Sequence, residues 1–164
     1  KSYVWQLCKN SPEGIVVLNN QDRILNANKG FERMFQFSAE EIKGKTLNDI
    51  IVPESMLEQA TQMTLFVLKG EIIHRETERK RKDGSTVDVS VLAYPITLEE
   101  NQIGVYGIYS DITERKETEK ALRNSEERYR AFVKQSTEGI WRFEFLEPVS
   151  TKLPIDEQVK NVFR

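Results

Sequence analysis

His74 is the single histidine of the chain and Cys8 its single cysteine. A histidine titrates near neutral pH and ligates metals, and a thiolate is a nucleophile, so these two are the first places to look for chemistry. His74 stands between Ile73 and Arg75 in a stretch of strand character, where an ordinary strand histidine is the plainer reading. Cys8 shares helical spacing with Tyr3, Val4 and Leu7 and reads as a small apolar member of that stripe. One cysteine excludes an internal disulfide framework and a cysteine-only zinc site within one chain, and it suits a reducing compartment. Glu76, Glu78, Glu99 and Glu100 offer carboxylate pairs, but no partner nucleophile or histidine base accompanies them. No glycine-rich phosphate loop is present. Arg79-Lys80-Arg81-Lys82 is the one basic cluster; strand alternation gives each face half of it, so a solvated hairpin is preferred over a nucleic-acid surface. Ser110, Asp111 and Thr113 have catalytic side-chain types, yet as helix caps they already have a sufficient physical role. The segment is therefore expected to be non-catalytic.

These groups need a scaffold. The 164 residues are 30% charged and 38% hydrophobic with a formal net charge of −2, so nothing global favours nucleic acid or an anionic membrane. No apolar run reaches membrane-spanning length and no signal-peptide pattern is seen, which gives a cytoplasmic expectation. The length has room for one domain and part of another. A start at Lys1 and an end at Arg164 within a helical pattern read as a piece of a longer protein.

Residues 1–10 are expected to form a flanking helix, ended by Asn10-Ser11-Pro12. Gly14–Leu18 and Arg23–Ala27 read as short strands about a turn at 19–22. Asn28 is the predicted N-cap of a helix carrying Phe31, Met34 and Phe35 on one side. Ser38 to Glu41 reads as a capping box, with Gly44 as the stop. Leu47, Ile50 and Ile51 make a short apolar turn, and Ser55–Leu68 is the long helix, ended by Gly70. Strands follow at Ile72–Lys80, Thr86–Ile96 and Gln102–Ser110, the first two joined by a hairpin turn at 82–85. Val87, Val89 and Val91 alternate with Asp88 and Ser90, the pattern of a half-buried strand. The order predicts an α+β domain with one antiparallel sheet and helices on one face.

Asp111-Ile112-Thr113 then passes the last strand to a charged helix within about three residues, a short connection. Asp111 lies three residues before Glu114, as in a capping box, and Thr113 is a second N-cap candidate. A displaced strand is expected to be felt at the root of that helix, residues 114–135. Leu122 and Tyr129 are seven apart, with Ser125 and Phe132 at the other seam position. This is a thin, partly polar coiled-coil seam; a solvated linker helix is the alternative.

There is an internal echo. Leu-Cys-Lys-Asn-Ser-Pro-Glu-Gly-Ile at 7–15 returns as Phe-Val-Lys-Gln-Ser-Thr-Glu-Gly-Ile at 132–140. Trp141, Phe143 and Phe145 continue the second copy, so 136–164 is read as an incomplete second domain. Because its first strand lacks sheet partners, residues 129–164 are expected to dock on a neighbouring molecule or to be poorly ordered. Ser11-Pro12-Glu13-Gly14-Ile15, Ile24-Leu25-Asn26-Ala27-Asn28, Phe31, Phe37, Glu41, Gly44, Arg81-Lys82-Asp83-Gly84 and Asp111-Ile112-Thr113 together resemble a PAS domain of a bacterial signalling protein. The resemblance covers 11–113, and 125–145 in part.

The resemblance implies the PAS fold, a five-stranded antiparallel sheet in the order 2-1-5-4-3 with helices over its concave face, flanked by the N-terminal and linker helices. It also implies a ligand cavity reached by Val89, Val91 and Tyr109 from the sheet and by Met56 or Met63 from the helical wall. The alternative, which apolar residues at such spacings favour, is that these five simply fill the core. Haem-binding relatives place a histidine on the long helix before the third strand, and photoactive flavin relatives carry Asn-Cys-Arg in the helical region. This chain has neither, which argues against haem and photoactive flavin and leaves any cofactor open. The implied function is a sensory relay module of a two-component type. It would form a homodimer through its flanking helices, with Leu122, Tyr129 and Phe132 in the seam. It would take a small-molecule ligand and bias an output domain in the same polypeptide through Asp111, Ile112 and Thr113. A histidine kinase or a diguanylate cyclase or phosphodiesterase is the usual output. A ligand-free dimerisation or protein-interaction module is the alternative, and neither nucleic acid nor a membrane is an expected contact.

Overall fold

The computed structural model describes residues 8–136, with side chains through 134. The chain divides into two compact units, residues 1–120 and 121–164. Five strands, β1 (Gly14–Leu18), β2 (Ile24–Ala27), β3 (Ile73–Lys80), β4 (Thr86–Leu98) and β5 (Asn101–Asp111), pair antiparallel in the order β2-β1-β5-β4-β3. Between β2 and β3 lie α1 (Lys29–Phe35), α2 (Ala39–Ile42), α3 (Leu47–Ile51), a 3-10 turn (Glu54–Met56) and α4 (Leu57–Leu68). Helix α5 (Thr113–Ser136) follows β5. This is the expected α+β architecture and strand order.

Period-two burial decides which face the helices cover. Val87, Val89 and Val91 of β4 are buried, and Asp88 and Ser90 are not. Val16 and Leu18 of β1 and Val105 and Tyr109 of β5 join them against Phe31, Phe35, Ile42, Leu47, Ile51, Ala60 and Val67. The rings of Phe31, Phe35 and Tyr109 meet at centroid distances of 4.6, 5.9 and 5.4 Å, two of the three contacts edge-to-face. Each such pair adds about 0.5–1.5 kcal/mol beyond the area it buries.

Local chemistry departs from expectation at four places. The long helix starts at Leu57 and not Ser55, because Met56 sits at φ −109°, ψ 3° and no side chain caps it. Arg23 makes an isolated bridge to Thr46 and does not belong to β2. The β4–β5 hairpin is longer than its sequence suggests: Glu99 and Glu100 take φ of 47° and 66°, a tight turn without the usual Asn-Gly signal. The capping box at Ser38 is half-formed. Ser38 Oγ accepts from the Glu41 amide at 3.2 Å, but the Glu41 carboxylate is taken by Lys82 Nζ at 2.7 and 2.8 Å. Of the flanking helix at 1–10, Cys8 and Lys9 are helical and 1–7 lie outside the described residues. Trp141, Phe143 and Phe145 also lie outside them.

Candidate functional site

Besides Thr77, two buried polar side chains stand out, one at the corner between β2 and α1 and one on β3. The first is Asn28, 1% exposed. Its Oδ1 accepts from the amides of Ile15 and Phe31, both at 2.8 Å, so one atom pairs β1 and caps α1. Its Nδ2 donates to the carbonyls of Cys8 at 2.8 Å and Glu13 at 2.9 Å. The chain entering β1 is thereby tied to the chain entering α1. Gly30 is required beside it, since a Cβ there would stand 2.0 Å from the Glu13 carbonyl oxygen.

The second is Arg79. It was expected in a solvated basic hairpin, and it is instead 3% exposed. Its neighbours in register and space explain this. Arg79 faces Val87 and Thr77 faces Val89 across β3–β4, so both belong to the helix-covered face. Arg79 Nη1 donates to Thr77 Oγ1 at 3.0 Å and to the Glu78 carbonyl at 2.9 Å. Thr77 Oγ1 in turn donates to Gln59 Oε1 of α4 at 3.1 Å. Burial pulls the guanidinium below its ordinary pKa, and the nearby Tyr109 hydroxyl acts against that. Burial pushes Tyr109 up to about 12, with Arg79 opposing and Asp22 adding to the rise. Arg81 and Lys82, the rest of the cluster, have structural work at the C-terminal end of α1. Arg81 Nε donates to the Met34 carbonyl at 3.0 Å and the Lys82 amide to the Phe35 carbonyl at 3.0 Å, favourable at a helix's negative end.

The five cavity candidates lie together in this region. Val89, Val91 and Tyr109 are buried, and Met56 and Met63 are partly buried against the same core. Met63 Sδ stands 4.0 Å from Arg79 Nη2. Sequence reasoning named the apolar members and missed Arg79, Thr77 and Gln59.

The strand-to-helix junction is short. Ile112 alone separates β5 from α5; it is 8% exposed, and its amide donates to the Asp88 carbonyl at 2.9 Å. Asp111 Oδ1 accepts from the Thr113 amide at 2.9 Å, so its turn is made two residues on and not at Glu114. Thr113 begins the helix, and its buried Oγ1 has no hydrogen-bond partner, so it is not the N-cap. Two ion pairs bind the first turn of α5 to the sheet, Lys116 Nζ to Asp88 Oδ1 at 2.6 Å and Arg115 Nη2 to Glu76 Oε1 at 2.7 Å. Ser110 Oγ donates to the Glu13 carboxylate. Further along α5, Leu122, Tyr129 and Phe132 are 62, 69 and 64% exposed.

The remaining chemical candidates have ordinary surroundings. His74 is exposed with Nε2 3.2 Å from Ser90 Oγ. Cys8 is half-buried beside Tyr106, whose pKa is raised by burial and by the thiol. Among the described residues there is no group of three metal-ligating side chains, and no helix is long and apolar enough to cross a membrane.

The sequence profile of a family described as PAS fold matches residues 8–117. The sensor histidine kinase TmoS of Ectopseudomonas mendocina is 25% identical over 134 residues, 80% of this chain; the match spans 14% of that protein's length. The crystal structure of a PAS domain from Colwellia psychrerythraea superposes with a TM-score of 0.60 at 27% identity, covering 69% of this chain and 99% of that one. The LOV domain of a blue-light activated histidine kinase from Erythrobacter litoralis superposes at 0.54 with 17% identity, covering 63% and 98%, a likeness of fold alone. On the family match and a sheet of this order and hand-over, the chain belongs to the PAS family.

Proposed function

We propose that residues 11–113 are a sensory relay module, that 114–135 form its linker helix, and that 136–164 begin a second domain of the same kind. The observation that carries this reading is the junction. One buried residue links β5 to α5, and Asp88 of β4 holds both the Ile112 amide and the Lys116 ammonium. A shift of β4 and β5 against the helices therefore reaches the root of α5 with little slack. A small ligand or a partner bound on the helix-covered face biases the two states by its differential affinity. The exposed Leu122, Tyr129 and Phe132 then pair with a second copy, and the output is a domain elsewhere in the same polypeptide, a histidine kinase or a cyclic-dinucleotide enzyme. The segment itself makes and breaks no bond. It is a bacterial cytoplasmic module in this reading.

The PAS family includes flavin- and haem-binding members, so the residues here must be weighed against those groups. The helices α1 to α4 carry neither cysteine nor histidine, so they supply no thiol for a flavin adduct and no imidazole for haem. A ligand-free dimerisation module is the second reading; the ring cluster of Phe31, Phe35 and Tyr109 favours it by filling the interior. Native mass spectrometry of freshly purified protein that shows a bound metabolite decides for sensing.

The relay is tested by Leu122→Ala with Tyr129→Ala, read by sedimentation, and by Asp88→Ala, read by hydrogen exchange over residues 113–118. The first is expected to weaken self-association and the second to speed exchange at the helix root. An unchanged dimer removes the seam from the account, and unchanged exchange removes the junction.

A further inference from the structure

Arg79 has no part in the relay described so far, and its nitrogens are unequally used. Nη1 has two oxygen acceptors. Nη2 has the Met63 thioether at 4.0 Å, a weak acceptor, and the Tyr109 hydroxyl bears on the guanidinium as a further hydrogen-bond partner. Nε is buried without any partner. The Tyr109 hydroxyl is close by, and among the described residues no carboxylate pairs with Arg79. An arginine cannot escape burial by losing its proton, so an uncompensated guanidinium here is costly. Fold stability does not ask for it: an apolar side chain would suit the same position facing Val87 better.

The open donors share one edge. Nε and Nη2 are the fork that accepts a carboxylate side-on, one oxygen to each nitrogen. We propose that this edge of Arg79, between β3 and α4, binds the carboxylate of a small organic acid with an apolar body, and that the Tyr109 hydroxyl donates a third hydrogen bond to it. The inference rests on the small-ligand part of the function proposed above and names the class. Charge selects a monocarboxylate: one guanidinium cancels one negative charge, whereas a phosphate dianion leaves a charge uncompensated among apolar groups. The apolar body meets Val89, Val91 and Met56.

Entry is through α4. Of its twelve residues only Ala60 and Val67 are buried, and no side chain caps its start. Met63 is unbranched and flexible, and by swinging away from Nη2 it exchanges a thioether for a carboxylate oxygen there.

The test uses the whole 164-residue chain with hexanoate and benzoate as probes, hexan-1-ol and benzyl alcohol as uncharged matches, and inorganic phosphate. Binding is read from the methyl resonance of Met63 in labelled protein and from the melting temperature. The acids are expected to shift both. The alcohols, and the acids on Arg79→Met, are expected to bind about 10- to 100-fold more weakly, the worth of a charge-assisted pair. Tyr109→Phe loses a smaller factor. Without ligand, Arg79→Met is expected to melt higher than the parent, since it removes a buried charge. Alcohols binding as well as acids, phosphate binding better than either, or acids holding equally to Arg79→Met would each overturn the carboxylate class and leave small-ligand sensing intact. Neither acids nor alcohols moving Met63 overturns the ligand site while the exchange test on the junction still stands. A lower ligand-free melting temperature for Arg79→Met makes the guanidinium structural and ends the proposal.

Discussion

The Asn28 corner, between β2 and α1, and the Arg79 wall, on β3, both bury polar side chains, and they are built on opposite terms. Every polar atom of the Asn28 amide is spent, two donor bonds and two acceptor bonds at 2.8–2.9 Å to four backbone groups. Arg79 carries a full charge, keeps two oxygens on Nη1, and leaves Nε without a partner. Burial of polarity by itself therefore says little. A satisfied group fixes the backbone, while an unsatisfied one lowers stability and is retained for what it does.

The strongest way to break this contrast is at the corner. Asn28→Ala strips partners from four backbone groups, of which those of Ile15 and Phe31 are buried. The expected loss is about 3–5 kcal/mol, the sum of several buried groups left unpaired. Urea denaturation measures it; a loss below about 1 kcal/mol, the size of an ordinary surface change, would show that water replaces the amide and that the corner is no keystone.

At the wall the sign reverses. Arg79→Met without ligand is expected to gain about 1–3 kcal/mol by the same denaturation, because a poorly paired buried charge gives way to apolar packing. A loss there would put both residues in one class and erase the contrast.

The corner was legible in the sequence and the wall was not, for a physical reason. Asn28 announces itself locally: an Asn before a helical stripe, with the caps and core of α1 following at fixed offsets. The valine alternation of β4 was likewise carried by short-range pattern, whereas the strand order came only with the resemblance to PAS domains. On β3 the inward positions 77 and 79 are Thr and Arg, so alternation between polar residues carries no hydrophobic signal. What buries Arg79 is long-range: the pairing with β4 and the approach of α4 through Gln59 and Met63. The same holds for the ion pairs of Arg115 and Lys116 with the sheet, which no local spacing reveals.

Asp22 is the intermediate case and gives the smallest effect. It lies in the β1–β2 turn with φ 58°, and its carboxylate is pushed up to about 6, chiefly by burial. The charge of Asp49 adds to the rise, and the Asn48 amide, its one bond, opposes it. Because the folded pKa lies above the unfolded one, the folded protein holds a proton that the unfolded chain has already released. Stability from this group is thus fully present below about pH 4, falls as pH rises to about 6, and stays lower beyond. Asp22→Asn keeps an acceptor for the Asn48 amide and tolerates the left-handed backbone. It is expected to match the parent near pH 4 and to exceed it at pH 7, with the difference opening across that window. Glu32, Glu41 and Asp83, all held below their usual range by their bonds, tilt both proteins equally in the other direction, so the difference between the two curves isolates Asp22. A constant offset at every pH would mean that the Asp22 carboxylate is hydrated in the fold, and a single amide bond would then suffice where Asn28 needs four.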